Sequence, residues 1–180
     1  KNPRSQQAQG GAGGVREKGQ LMSASEIDRT LVRLAHEIVE RHNGAQDLVF
    51  VGILRRGVAL AERLARKIEE IEKVAPPVGT LDITSYRDDL SPVDRKSIIQ
   101  QSDLPFSMED KSIILVDDVL YTGRSTRAAL DALVDHGRPR RVELCVLSDR
   151  GHRELPIQAD YVGRGVQTTE RETVELSLRA

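Results

Sequence analysis

Residues 113–126 read IILVDDVLYTGRST, and this run restricts the fold of the chain more than any other. Four consecutive aliphatic residues, Ile113 to Val116, fit a strand buried on both faces, as in a parallel sheet. Asp117 and Asp118 follow at its carboxyl end, where open α/β sheets bind ligands. Val119 and Leu120 lead to Tyr121, Thr122, Gly123, Arg124, Ser125 and Thr126, and a helix is expected from about Ser125 to His136, closed by Gly137. Gly123 lets the main chain approach a ligand, and three hydroxyl side chains beside a helix N-terminus make a cradle for a monophosphate. Two carboxylates beside such a cradle suit vicinal hydroxyls. Together they describe a site for a ribose 5-phosphate. A solvated strand end would explain the acidic pair alone, but not the whole run. Neither the P-loop spacing nor the G-x-G-x-x-G dinucleotide spacing is present in it.

The flanking sequence supplies the rest of an α/β pattern. Ser23 with Glu26 fits a capping box, and Ile27, Leu31, Leu34 and Ile38 then recur on one helical face, stopped by Asn43-Gly44. The opposite face carries Arg29, Arg33, His36, Glu40 and Arg41. Leu48–Leu54 suits a buried strand, and Leu60, Leu64, Ile68 and Ile71 form a helical stripe after Gly57. Strands are expected at Val78–Thr84 and Val142–Leu147, with shorter ones at Asp160–Gly163 and Thr173–Leu178. The fold class is therefore α/β, a mainly parallel sheet flanked by helices. Between Tyr86 and Lys111 no period is sustained and Pro92 and Pro105 intervene. A connection of this length inside a domain reads as a flexible active-site lid, with a hairpin at its base left open.

Composition narrows the function classes. The 27 Lys and Arg against 28 Asp and Glu give a net charge of -1, so the total calls for neither a nucleic acid nor a membrane. With 3% aromatics and no Trp, the core must be aliphatic. A single cysteine, Cys145, excludes an internal disulfide and a multi-thiolate metal site, and its apolar neighbours make it a small core residue. No resident metal ligands are expected. Residues 1–20 are polar, rich in Gly and Gln, and read as a disordered tail before a domain at 21–180. They hold no apolar leader segment, so the expected compartment is the cytoplasm.

At this point residues 113–125 resemble the PRPP-binding motif of type I phosphoribosyltransferases. The resemblance extends through SYRDDL (85–90), DALVDHGRPR (131–140) and SDRGHRELPIQADYVG (148–163). Together these resemble the bifunctional pyrimidine operon attenuation regulators that are also uracil phosphoribosyltransferases, with DRGHRELP the narrower signature. A type I phosphoribosyltransferase-like fold is implied, with transfer of phosphoribose from PRPP to uracil giving UMP and pyrophosphate. Mg²⁺ would enter as the PRPP complex, held mainly by substrate oxygens and water. The resemblance also implies a homo-oligomer, dimer or tetramer, and binding of pyrimidine operon leader RNA in response to UMP or UTP. Two other outcomes stay open: a nucleotide-sensing RNA binder with weak catalysis, and a transferase for another nucleobase.

Carried over residue by residue, Asp117 and Asp118 would bind the ribose hydroxyls and Tyr121 to Thr126 the 5-phosphate. Arg55, Arg56 and Gly57 match the pyrophosphate loop, where a leaving group needs a cation and free backbone donors. Arg56, Arg87 and Asp118 are the expected catalytic residues, Arg87 closing over the leaving group or else pairing with Asp88 or Asp89. Arg150 and the backbone of Tyr161, Val162 and Gly163 would border the base. Seven arginines lie between 124 and 153. Of these, Arg138, Arg140 and Arg141, with Arg29, Arg33 and His36 on the first helix, form a candidate RNA or subunit surface. The sequence departs from the family at Arg55 (usually Thr), Ser85 (usually Leu), Ser148 (usually aliphatic) and Gly163-Arg164-Gly165-Val166-Gln167 (usually Gly-Lys-Asn-Val-Pro).

Overall fold

A computed structural model describes residues 19–96 and 100–178. Nearly all of the expected tail, residues 1–18, lies outside the described residues. Helix α1 (Ala24–His42) begins on the expected capping box: the Glu26 N–H donates to Ser23 Oγ at 3.2 Å and the Ser23 N–H to Glu26 Oε1 at 3.3 Å. It ends where Asn43 turns left-handed at φ 52°. Its buried stripe is Ile27, Leu31, Leu34, Ala35 and Ile38.

The chain continues through β1 (Leu48–Ile53), α2 (Arg56–Glu72), β2 (Val78–Leu81), a 3₁₀ turn (Thr84–Tyr86), α3 (Pro92–Lys96) and β3 (Ser112–Leu120). It then forms α4 (Arg124–His136), β4 (Arg141–Asp149) and β5 (Tyr161–Gly165). The strands make one sheet in the order β2-β1-β3-β4-β5, with every pair parallel. Helices α1 and α2 bury Leu34, Leu60, Leu64 and Ile68 on one face against Phe50, Ile114 and Cys145. On the other face Ala129 and Leu133 of α4, with Met108, cover Val51, Ile113, Leu115 and Val146. Each fully buried leucine contributes ~1.5–3 kcal/mol, which suits a core without tryptophan. Because β1 leads outward to β2 and β3 outward to β4, the chain diverges between β1 and β3. That divergence opens a crevice at the carboxyl ends of these two strands.

Four expected elements differ. Strand β3 runs past Val116 to Leu120, because Asp117, Val119 and Leu120 still pair with Val146, Ser148 and Asp149. On the β1 side pairing stops at Gly52 with Val116, so the acids stand beyond their other neighbour. Strand β2 stops at Leu81 and not at Thr84, since the Asp82 carboxylate takes the Thr84 N–H at 3.0 Å and turns the chain. Thr173–Leu178 forms no strand; Leu176 is buried and Leu178 packs on the α1–α2 core. The expected lid is only partly irregular. Its return arm pairs Asp103 with Thr80 and packs Leu104, Phe106 and Met108 under the sheet, which also settles the hairpin-like base. Among the described residues no helix is long and apolar enough to cross a membrane.

Candidate active site

The crevice is lined by the turn after β1 and the loop after β3. Leu54 and Arg55 form the turn, joined by a cis peptide bond, and Arg56 opens α2. Gly57 permits the close approach: a Cβ there would lie 2.3 Å from the Val116 carbonyl oxygen, inside the backbone of β3. The approach brings the Arg56 guanidinium within 4.0 Å of the Asp118 carboxylate. Arg55 is exposed beside it. Of the expected pyrophosphate-loop residues, Arg56 and Gly57 therefore stand against the two expected ribose-binding acids.

Asp117 accepts the Asp118 N–H at 2.9 Å, and Asp118 accepts the Val119 N–H at 2.8 Å. Surrounding protein pushes the half-buried Asp117 carboxyl well above its ordinary pKa, and the neighbouring Asp118 carboxylate adds to the shift. Beyond them, Gly123 sits at φ 92°, a left-handed turn that a side chain rarely adopts, and starts α4 without a side-chain cap. Thr122 and Ser125 are accessible at this helix end, whereas Thr126 is buried and Leu120 belongs to the core. Of the expected phosphate-cradle side chains, Thr122 and Ser125 are thus the accessible threonine and serine hydroxyls.

The loop is held from behind. The Arg153 guanidinium donates to the Tyr121 and Ile157 carbonyls at 2.8 Å each and to Asp149 at 2.5 Å. The Glu154 and Leu155 N–H groups donate to the Thr122 carbonyl at 2.9 and 3.1 Å. The expected base-side residue Arg150 lines a cleft together with Val162. Its guanidinium lies 3.9 Å from the Tyr121 ring centre and donates to Thr168 Oγ1 and the Thr169 and Glu172 carbonyls. These bonds tie it to segment 168–172. The Tyr161 side chain, which the expectation does not involve, is buried with its hydroxyl donating to Glu143 at 2.8 Å. Val162 does line a cleft of about 720 Å³, with Asp149 to His152 and Gly165 to Thr168. Gly163 borders instead a cavity of about 340 Å³ against α1.

These features can be set beside known proteins. A family profile described as "Phosphoribosyl transferase domain" matches residues 19–178. "Bifunctional protein PyrR" of Deinococcus radiodurans is 56% identical over 162 residues, 90% of this chain and 88% of the relative. The PyrR of Alkaliphilus metalliredigens is 57% identical over 158 residues, 88% of this chain and 87% of that one. The chain belongs to the PyrR phosphoribosyltransferases. A hypoxanthine phosphoribosyltransferase structure from Staphylococcus aureus has the same fold, at TM-score 0.67 and 22% identity over 83% of this chain and 78% of that one.

Within this phosphoribosyltransferase fold the remaining expected residues are dispersed. Arg87 of the lid pairs with Asp89 at 2.6 Å, the second of the two roles expected for it. The lid instead reaches the site through Asp88, which accepts from Arg124 at 2.6 Å. The seven arginines between 124 and 153 do not make one patch. Arg124, Arg150 and Arg153 make the contacts above and Arg127 is exposed on α4, while Arg138, Arg140 and Arg141 lie at or just before the start of β4, the opposite edge of the sheet. There Arg140 is 3.7 Å from Asp47. On α1, Arg29 and His36 are exposed, and Arg33 donates to Glu37 at 2.7 Å and to the Gly163 carbonyl at 2.5 Å. Sequence reasoning does not single out Asp82, Asp88, Arg153 or Glu154 as site residues. Asp88 lies in SYRDDL and Arg153 and Glu154 in DRGHRELP, while Asp82 lies in neither; contacts spanning 30 or more residues, such as Arg124 with Glu154 and Asp88, have no local period.

Proposed function

We propose that the chain transfers the 5-phosphoribosyl group of PRPP to N1 of uracil, giving UMP and pyrophosphate. We also read it as a regulator that binds pyrimidine operon leader RNA when UMP or UTP is bound, as a homo-oligomer in the cytoplasm, where these ligands occur. The observation that carries the enzymatic reading is Arg56 at 4.0 Å from Asp118. That spacing puts a cation for the leaving group beside the acceptor for the ribose.

In this reading Asp117 and Asp118 hold the ribose hydroxyls, and Thr122, Ser125 and the first N–H groups of α4 hold the 5-phosphate. Arg55, Arg56 and the start of α2 stabilise charge on the departing pyrophosphate as the C1–O bond breaks and uracil N1 attacks. The lid excludes water from the oxocarbenium-like sugar. Uracil takes the cleft beside Val162 and Asp149; about 720 Å³ falls in the size range of small-ligand pockets. Mg²⁺ accompanies PRPP and neutralises its pyrophosphate; the hard carboxylate oxygens of Asp117 and Asp118 suit it, and substrate and water supply its other ligands.

The test is UMP formation from labelled uracil and PRPP with Mg²⁺, against hypoxanthine and orotate as competing bases. Uracil-specific turnover that is lost in Asp117→Asn/Asp118→Asn supports the reading. Turnover of another base, or UMP binding without turnover, refutes it and leaves respectively a different transferase or a nucleotide sensor.

A further inference from the structure

Asp82, the residue after β2, is 7% exposed and yet carries a fully engaged carboxylate. Its Oδ1 accepts the Thr84 N–H at 3.0 Å and the Thr84 hydroxyl at 2.6 Å, and its Oδ2 accepts the Gln101 N–H at 3.1 Å. Its own N–H donates to Ser102 Oγ at 2.8 Å. Thr84 is where the chain leaves for the lid and Gln101 is where it returns. One carboxylate therefore ties both roots together.

Neighbouring contacts tighten the same neck. Thr80 and Asp103 exchange main-chain hydrogen bonds at 2.7 and 2.9 Å, and the Gln100 amide donates to the Ser85 hydroxyl. The neck is also joined to the pyrophosphate loop, because the Leu54 N–H donates to the Leu81 carbonyl at 2.9 Å, one residue before Arg55 and one before Asp82. Burial alone would raise the Asp82 carboxyl, but the Thr84 and Gln101 bonds, with the charge of Arg55, hold it below its ordinary range. The ionised form is thus the one built into the neck.

We propose that Asp82 is a positioning residue for phosphoribosyl transfer: it fixes the two lid roots at one spacing and sets them against the pyrophosphate loop. The inference rests on the function proposed above. Asp82 touches no substrate; it acts on where the lid lies, and in this structure the lid already reaches the loop after β3, with Asp88 on Arg124. A lid with loosened roots would sample many placements, and a displacement of about 1 Å at a reacting site costs up to ~100-fold in rate.

Asp82→Asn keeps the shape but turns one acceptor into an N–H that faces another N–H. The variant is expected to lose ~10- to 100-fold in kcat, with the Kd for UMP and the melting temperature close to those of the unchanged protein. Trypsin should cut the lid, at Arg87, Arg95 or Lys96, several-fold faster. Thr84→Val removes only the hydroxyl donor at an exposed residue, and should move both readouts the same way by less. Unchanged kcat and unchanged cleavage in Asp82→Asn would overturn the inference. So would parallel loss of UMP affinity and melting temperature in both variants, which marks a purely structural residue. Absence of UMP formation by the unchanged protein would instead defeat the proposed function, and the tryptic comparison would still decide whether Asp82 holds the neck.

Discussion

The Arg124 guanidinium donates to the Asp88 carboxylate at 2.6 Å, joining the first residue of α4 to the lid. Glu154 accepts from the same guanidinium at 2.9 Å. Two acids from separate loops thus occupy a cation that stands at the phosphate cradle. If a 5-phosphate binds at this loop as proposed, it competes with Asp88 for the guanidinium, and the ion pair would act as a latch on the lid.

Asp88→Asn is accordingly expected to lower KM for PRPP with little change in kcat. The pair is exposed on both sides, and such pairs are weak and screened by salt, so the change should be about two- to fivefold and shrink as ionic strength rises. Initial rates at two salt concentrations check it. A raised KM would mean that Asp88 helps to hold substrate and is no latch.

Asp117 leads to a prediction in which stability and function oppose each other. Burial and the Asp118 charge raise its folded-state pKa well above the usual carboxyl value. A carboxyl raised in this way binds its proton more tightly folded than unfolded. Its contribution is therefore fully present below the unfolded value of ~3.9 and is lost as pH rises through the folded one. Asp117→Asn should melt higher than the unchanged protein at pH 8, by ~2–4 °C per kcal/mol relieved, and show a flatter pH profile. It should also lose PRPP turnover. A lower melting temperature at pH 8 would contradict the burial penalty.

Arg55 is exposed at the start of α2, next to Arg56, which faces Asp118. Replacing it by Thr should raise the Kd for pyrophosphate roughly tenfold or more, the effect of losing a charge-assisted hydrogen bond. Calorimetry with pyrophosphate measures this directly. Faster turnover in Arg55→Thr would show that the guanidinium obstructs the loop.

What the sequence reveals follows the range of the interactions. The capping box at Ser23, the buried runs of β1, β3 and β4, and the stripes of α1 and α2 are local patterns, and each is legible. So is the strand–acid–loop–helix run at 113–126, because one continuous segment carries it. The base side is not. Arg150 lines the cleft beside Val162, but its bonds to Thr168 and the carbonyls of 169 and 172 join residues 18 or more apart and leave no local period. Thr173–Leu178 alternates like a strand, yet the edge position beside β5 stays empty among the described residues while Leu176 goes into the core. Side-chain direction depends on partners far along the chain, and alternation cannot name them.

The arginines at the start of β4 permit a separation of the two proposed activities. Arg140 and Arg141 stand at the edge of the sheet where Ser112 begins β3, eight strand residues from the Leu120 end that leads into the phosphate loop. Arg140 is engaged with Asp47 and with the Ser112 hydroxyl at 3.3 Å, while Arg141 is exposed. Neither reaches Asp117 or Asp118. Arg140→Gln with Arg141→Gln should therefore leave uracil phosphoribosyltransferase activity intact and weaken binding of pyrimidine leader RNA. The slope of log affinity against log salt should flatten by ~0.7–0.9 for each RNA phosphate that is no longer neutralised. UMP in the crevice raises RNA affinity only if it favours the RNA-competent conformation, and RNA must then tighten UMP by the same factor. Unchanged RNA affinity and salt slope in the double variant would move the RNA surface to α1, where Arg29 and His36 are exposed. Loss of both activities together would point to a damaged fold or subunit interface at this edge.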